Sequence, residues 1–107
     1  NRTVSVSYPG AEGAAAMAAI MERLREAAPS EVAGLAVEGV VDYEDAGTGL
    51  PTANVVEFRL AGGNKAIVRP SGTEPKIKLY VFAKDDTQEG AEALLNSIES
   101  SGRKLLA

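Results

Sequence analysis

The stretch Arg69-Pro70-Ser71-Gly72-Thr73-Glu74-Pro75 constrains this chain more than any other, because it sets two prolines between segments patterned as β-strands. Proline has no N–H for a ladder and holds φ near −65°, so a strand entering at Arg69 must leave the sheet and another must start after Pro75. Residues 76–84 alternate Ile77, Leu79, Val81 and Ala83 against Lys78, Tyr80, Phe82 and Lys84, the period of a strand with one buried face. Residues 65–69 form its shorter partner. The connection is therefore held at both ends, and its composition suits a small anion. Arg69 offers a planar fork of donors that matches a phosphate and stays charged at any workable pH. Ser71 and Thr73 add hydroxyls. Gly72 permits a turn in which consecutive N–H groups face one concavity. With φ fixed at both prolines, little ordering entropy is lost on binding.

The other elements follow in order. Residues 1–10 alternate weakly through Val4, Val6 and Tyr8 and end in Pro9-Gly10, an extended lead-in or interdomain linker. Residues 11–28 set Met17, Ile20, Met21, Leu24 and Ala28 on one helical stripe, with Glu22, Arg23, Arg25 and Glu26 opposite, and Pro29 stops the helix. Residues 31–43 read as a single strand with Leu35, Val37, Val41 and Tyr43 on one face and Gly34 and Gly39 as bends or bulges. Residues 44–54 carry Asp45, Gly47, Gly49 and Pro51 without periodicity and read as a loop. Residues 55–60 alternate Val56, Phe58 and Leu60 against Glu57 and Arg59, and Gly62-Gly63-Asn64 turns that strand into 65–69. Asp86, with Glu89 three residues on, reads as a capping box opening a helix to about Lys104, striped by Ala91, Leu94, Leu95 and Ile98. The order α-β-β-β-β-α with short connections predicts an α+β two-layer sandwich: a four-stranded antiparallel sheet with two helices on one face. Tyr80 and Phe82 would then lie on the other face, to be covered by further chain or by a partner.

At 107 residues this is one domain. The absence of Cys and His removes disulfides, thiol chemistry and the commonest general base and metal ligand. A net charge of −4 argues against nucleic acid and anionic membranes as partners. No apolar run reaches the length of a membrane span and no signal peptide is evident, so a cytoplasmic setting is expected. A chain that opens on Asn1 reads as a piece of something longer. Asp42, Glu44 and Asp45 form a small acidic cluster, but nothing fixes a coordination geometry, and a solvated loop mouth is the better reading.

At residues 69–75 the sequence resembles the α-D-phosphohexomutases, the phosphoglucomutases and phosphomannomutases, in their fourth, C-terminal domain. The likeness extends to Asn54-Val-Val-Glu-Phe58, the Gly62-Gly63 hairpin, Ala66-Ile-Val68, Lys76-Ile-Lys-Leu-Tyr80 and both helices. It implies a TATA-binding-protein-like sandwich spanning residues 1–107. It also implies that Arg69, Ser71, Gly72 and Thr73 grip the non-reacting phosphate during reversible interconversion of hexose 1-phosphates and 6-phosphates. In that family a phosphoserine of the first domain passes its phosphoryl group to the sugar, giving a hexose 1,6-bisphosphate that turns end over end and returns the other phosphate. The serine, the aspartates that hold Mg²⁺ and the sugar-reading loop belong to the first three domains. Nothing in this chain resembles them. The resemblance therefore implies no catalytic and no metal residue here and an inert isolated piece. Mg²⁺ and glucose 1,6-bisphosphate are expected of the full-length enzyme, as are hexose phosphates and the other three domains of the same polypeptide as partners. The run Lys76-Ile-Lys-Leu-Tyr80 favours glucose phosphate, but sugar choice is not encoded.

Each residue also has a plainer reading. Arg69 could pair with Glu74, Ser71 to Thr73 could simply form a turn, and Lys76 and Lys78 could belong to a solvated face. Glu74 would orient Arg69 or face solvent, since it would repel an anion. Two other functions compete: a free-standing phospho-ligand module without chemistry, which the encoding reading frame would reveal, and a nucleic-acid binder by fold analogy, which net acidity and few aromatics disfavour.

Overall fold

The computed structural model describes residues 1–44, 53–71 and 73–107. In it, β1 (Arg2–Ser7), β2 (Glu31–Val32), β3 (Leu35–Asp42), β4 (Val56–Leu60), β5 (Asn64–Pro70) and β6 (Lys76–Phe82) are joined by α1 (Gly13–Glu26) and α2 (Gln88–Leu105). The strands form one antiparallel sheet in the order β1-β6-β5-β4-β3-β2. Alternation sorts the sheet into two faces. Phe58 opposes Ala66, which opposes Val81, and Val56 opposes Val68, which opposes Leu79 and then Val4. All of these are buried, in one cluster with Ile20, Met21 and Leu24 of α1 and Leu95 and Ile98 of α2. Both helices thus share one face, and each fully buried side chain of this size contributes about 1.5–3 kcal/mol.

The sheet has six strands, two more than the four expected. Residues 2–7 are extended, as their pattern suggested, and form the edge strand β1, with Val4 buried against Leu79. The single strand expected over 31–43 is instead folded back on itself. Ala33 and Gly34 both take positive φ, 55° and 77°, as the two central residues of a tight hairpin turn between β2 and β3. Gly34, which the sequence marks as a bend or bulge, is the second residue of that turn, but alanine is a poor signal for the first, so a full reversal of the chain is not legible there. β3 then slips register between Val37 and Gly39, leaving Glu38 as the extra residue of a bulge. The slip moves Val41 to the face opposite Val37, so the expected Leu35, Val37, Val41 and Tyr43 face is broken in two. The acidic loop expected over 44–54 lies mostly outside the described residues.

Helix α2 is capped one residue later than the Asp86 capping box. The Thr87 hydroxyl accepts from the Gly90 N–H at 3.0 Å, and Asp85 Oδ2 accepts from the Thr87 N–H and hydroxyl at 3.1 and 2.9 Å. Those bonds hold the Asp85 carboxyl below its ordinary pKa. At the middle of α2, Glu99 takes Arg103 at 3.0 Å and Arg2 of β1 at 3.1 Å. Arg103 first and then Arg2 hold its carboxyl below the usual range. This latch between β1 and α2 is therefore complete above the ordinary carboxylate pKa of about 4.3 and is lost as pH falls through the lowered value.

Tyr8 joins the two layers. Its N–H donates to Pro75 O at 2.7 Å, its hydroxyl donates to Leu106 O, and its carbonyl abuts the start of α1 at Gly13. A Cβ on Gly13 would overlap that carbonyl oxygen, a backbone atom that cannot swing away. Gly13→Ala is therefore expected to destabilise the chain by about 1–3 kcal/mol, although alanine is the better helix former. Urea denaturation checks this, and an unchanged or raised midpoint would contradict it.

Candidate anion-binding site

Arg69 lies near the end of β5 on the face away from the helices, where it is exposed. Its cross-strand partner is Lys78 of β6, so the two cationic side chains stand side by side on the open face. Beyond Pro70 the Ser71 N–H donates to Lys76 O at 2.8 Å, closing the neck of the connection. The other limb is tied down by the Tyr8 N–H on Pro75 O. Within the loop, Ser71 Oγ accepts from the Thr73 and Glu74 N–H groups at 3.4 and 3.3 Å. These long bonds lie beyond the usual range for N–H···O contacts, so both donors are held close to one point without being well satisfied. A cavity of about 330 Å³ opens here, lined by Arg69, Pro70, Ser71, Thr73, Lys78 and Tyr80. Gly72 lies outside the described residues.

The ion pairs decide which charges are available. Glu74 pairs with Lys76 at 3.0 Å, not with Arg69, and so neutralises the lysine nearest the loop tip. Among the described residues neither Arg69 nor Lys78 has a carboxylate partner. Like charges directly opposite on adjacent strands are unfavourable by roughly 0.2–1 kcal/mol, and a dianion placed between them would reverse that sign. The sequence marked Arg69, Ser71 and Thr73, and the structure brings these three to one cavity. It left Lys78 undecided between attraction and a solvated face, and placed Tyr80 on that face only as surface to be covered by further chain or a partner. Both belong to the cavity because β6 pairs back on β5 in this register.

A second concavity, of about 320 Å³, lies on the helix side of Ser71 and includes Met17, Met21, Asn54 and Pro70. No cation lines it among the described residues. The acidic side chains suspected of holding a metal are engaged elsewhere: Arg25 binds Asp42 at 3.0 Å, Glu44 at 3.3 Å and Asn54 Oδ1 at 2.7 Å. Asp45 lies outside the described residues, and no group of three potential metal ligands occurs among those described. On the open face Glu57 is 5% exposed. It accepts from Arg59 Nε at 2.8 Å and from the Tyr43 hydroxyl at 3.4 Å, and it raises the pKa of Arg59 above its ordinary value. None of the described helices is long and apolar enough to cross a membrane.

Residues 9–96 match the family described as Phosphoglucomutase/phosphomannomutase, C-terminal domain. A phosphoglucomutase of Staphylococcus haemolyticus (strain JCSC1435) is 36% identical over 100 residues, covering 83% of this chain and 18% of that protein. A probable phosphomannomutase of Haemophilus influenzae is 33% identical over 87 residues, covering 81% and 17%. A phosphoglucomutase of Staphylococcus aureus (strain USA300) is 37% identical over 108 residues, covering 87% and 19%. The chain thus spans about a fifth of the length of these curated relatives.

If the cation pair is an anion site, its removal should separate stability from binding. Arg69→Ala is expected to leave the phosphate-free melting temperature unchanged or slightly raised, while the rise that inorganic phosphate gives the wild type disappears. Scanning calorimetry with and without phosphate measures both. A phosphate-induced rise that survives in Arg69→Ala would place the site elsewhere.

Proposed function

This chain belongs to the phosphoglucomutase/phosphomannomutase family as its C-terminal domain, and on that premise we propose that its Arg69 loop grips the non-reacting phosphate of a hexose phosphate while 1-phosphates and 6-phosphates are interconverted. The carrying observation is the Arg69 and Lys78 pair, two adjacent cations without a carboxylate partner among the described residues, opening on a cavity with two hydroxyls. Arg69 would take two phosphate oxygens bidentately, and Lys78 would add a point charge. Ser71 and Thr73 would turn their hydroxyls to the remaining oxygens, with Gly72 supplying backbone. The Thr73 and Glu74 N–H groups, now loosely held by Ser71 Oγ, would complete the concavity.

Such a clamp reads charge and shape and is indifferent to whether O1 or O6 of the sugar bears the phosphate. Its binding energy, supplied away from the reacting centre, would position the sugar and help close the domain over the cleft, excluding water. Phosphoryl transfer itself, from a phosphoserine through a hexose 1,6-bisphosphate, is assigned to the remainder of the full-length enzyme. The side chains described here do not fit Mg²⁺, since Asp42 and Glu44 are held by Arg25. Glucose phosphate as the preferred substrate, the other three domains as partners and a cytoplasmic setting belong to the same proposal. So does the TATA-binding-protein-like layer order, supported by two helices sharing one face of an antiparallel sheet.

In the full-length enzyme, Arg69→Ala is expected to lower kcat/KM for glucose 1-phosphate by about 30- to 1,000-fold, the equivalent of losing ~2–4 kcal/mol of charge-assisted binding. Arg69→Lys should recover part of it. A loss smaller than about threefold would remove Arg69 from substrate binding. The 107-residue chain alone is expected to give no glucose 6-phosphate from glucose 1-phosphate, and turnover by pure material would show that it carries chemistry of its own.

A further inference from the structure

One row along the sheet from the two cations lies a differently built surface. Thr3, Tyr80, Ile67 and Glu57 are successive cross-strand partners from β1 to β4, on the same open face as Ser5, Lys78 and Arg69 in the next row. The rows are two residues apart, about 7 Å along a strand. That step is of the order of a sugar ring's own width, so a ring esterified to an anion at Arg69 would come within reach of the next row. Tyr80 is partly exposed and lines the cation cavity itself. Of the three tyrosines, Tyr8 and Tyr43 commit their hydroxyls to Leu106 O and Glu57. The Tyr80 hydroxyl has no protein partner among the described residues. Thr3 and Ser5, both exposed, put hydroxyls on one side of the ring, and Ile67 puts an apolar side chain on the other.

We infer that Tyr80 is a platform for the sugar ring of the bound phosphate ester, so that this domain holds a pyranose as well as its phosphate. The inference rests on the Arg69 and Lys78 cavity being the phosphate site and extends it to the esterified group. A pyranose has C–H bonds on its ring faces and hydroxyls around its rim. It can lay a C–H face on an aromatic ring while its rim meets Thr3, Ser5 and the Tyr80 hydroxyl, an arrangement that a phosphate on a short alkyl chain cannot use. Charge fixes the anchor: the cations open onto the sheet face, and no cation is among the residues lining the concavity on the helix side of Ser71. Tyr80 lines the same cavity as Arg69, so an ester anchored there has the ring within reach on that face.

Titration of this chain by NMR with methyl phosphate and with glucose 6-phosphate separates the two claims. Glucose 6-phosphate is expected to bind about 3- to 10-fold more tightly. The ring current of Tyr80 should shift the sugar's C–H protons upfield, and the Tyr80 aromatic signals should move with the sugar phosphate only. In Tyr80→Ala the ratio between the two probes should fall to about one; Tyr80→Phe, which keeps the ring, should retain most of it. Should Tyr80→Ala fail to fold, the wild-type shifts and the Tyr80→Phe ratio decide. Equal affinity for both probes with no sugar proton shifted, while methyl phosphate still moves the Arg69 signals, would overturn the platform and leave the phosphate site standing. No response to methyl phosphate would remove both.

Discussion

Cross-strand pairing of β5 with β6 is the interaction from which the rest of the molecule follows. Val68 faces Leu79 and Ala66 faces Val81 on the helix side, and a one-residue slip would turn that whole apolar set to solvent. The same register sets Arg69 beside Lys78 on the opposite face. Burial worth about 1.5–3 kcal/mol for each large apolar side chain outweighs the roughly 0.2–1 kcal/mol by which two facing cations repel. The core therefore holds side by side two like charges that would otherwise separate, an arrangement that an anion between them would favour.

Rigid anchoring at the base of the loop keeps that arrangement from relaxing. Ser71 N–H on Lys76 O closes the neck, and Tyr8 N–H holds Pro75. Tyr8 is in turn fixed by its hydroxyl on Leu106 O, with burial raising its pKa and the charge of Arg23 offsetting part of the rise. Among the described residues of the loop, the Thr73 and Glu74 N–H groups are the ones loosely bonded, through the two long contacts to Ser71 Oγ. An anion that took over those two N–H groups would replace two long contacts with its own. Tyr8 thus supports the loop from outside the cavity that Arg69 and Lys78 line.

The parts of the fold that were legible in the sequence are those in which local pattern and tertiary packing agree. β6, with strict alternation and no glycine, is one; the stripe of α1 through Ile20, Met21 and Leu24 is another. The hidden parts depend on single residues in conformations their type does not announce. Ala33 at positive φ splits a strand in two, and the extra Glu38 reverses the facing of everything after it. In the candidate site, Arg69, Ser71 and Thr73 are adjacent in sequence and could be found together. Lys78 and Tyr80 join them only through strand register. The alternation of β6 did place both on one face, yet no pattern within that strand says that its neighbour there is Arg69.

If the clamp proposed above receives either end of the same molecule, it is also constrained in what can stand beside it. A side chain that hydrogen-bonds one hydroxyl strongly would favour one end over the other, because the two ends of a hexose present different hydroxyls at equal distance from the phosphate. The carboxylates near the cavity are withdrawn from that use: Glu74 is paired with Lys76, and Glu57, in the row of Tyr80, is buried and committed to Arg59 and Tyr43. What stands next to the cations is an aromatic ring between an aliphatic side chain and short hydroxyls, groups that accept a C–H face in more than one orientation. On the proposed reading, strong, end-blind recognition of the phosphate and weak, adaptable recognition of the ring would be parts of one design, on the face that the core leaves free.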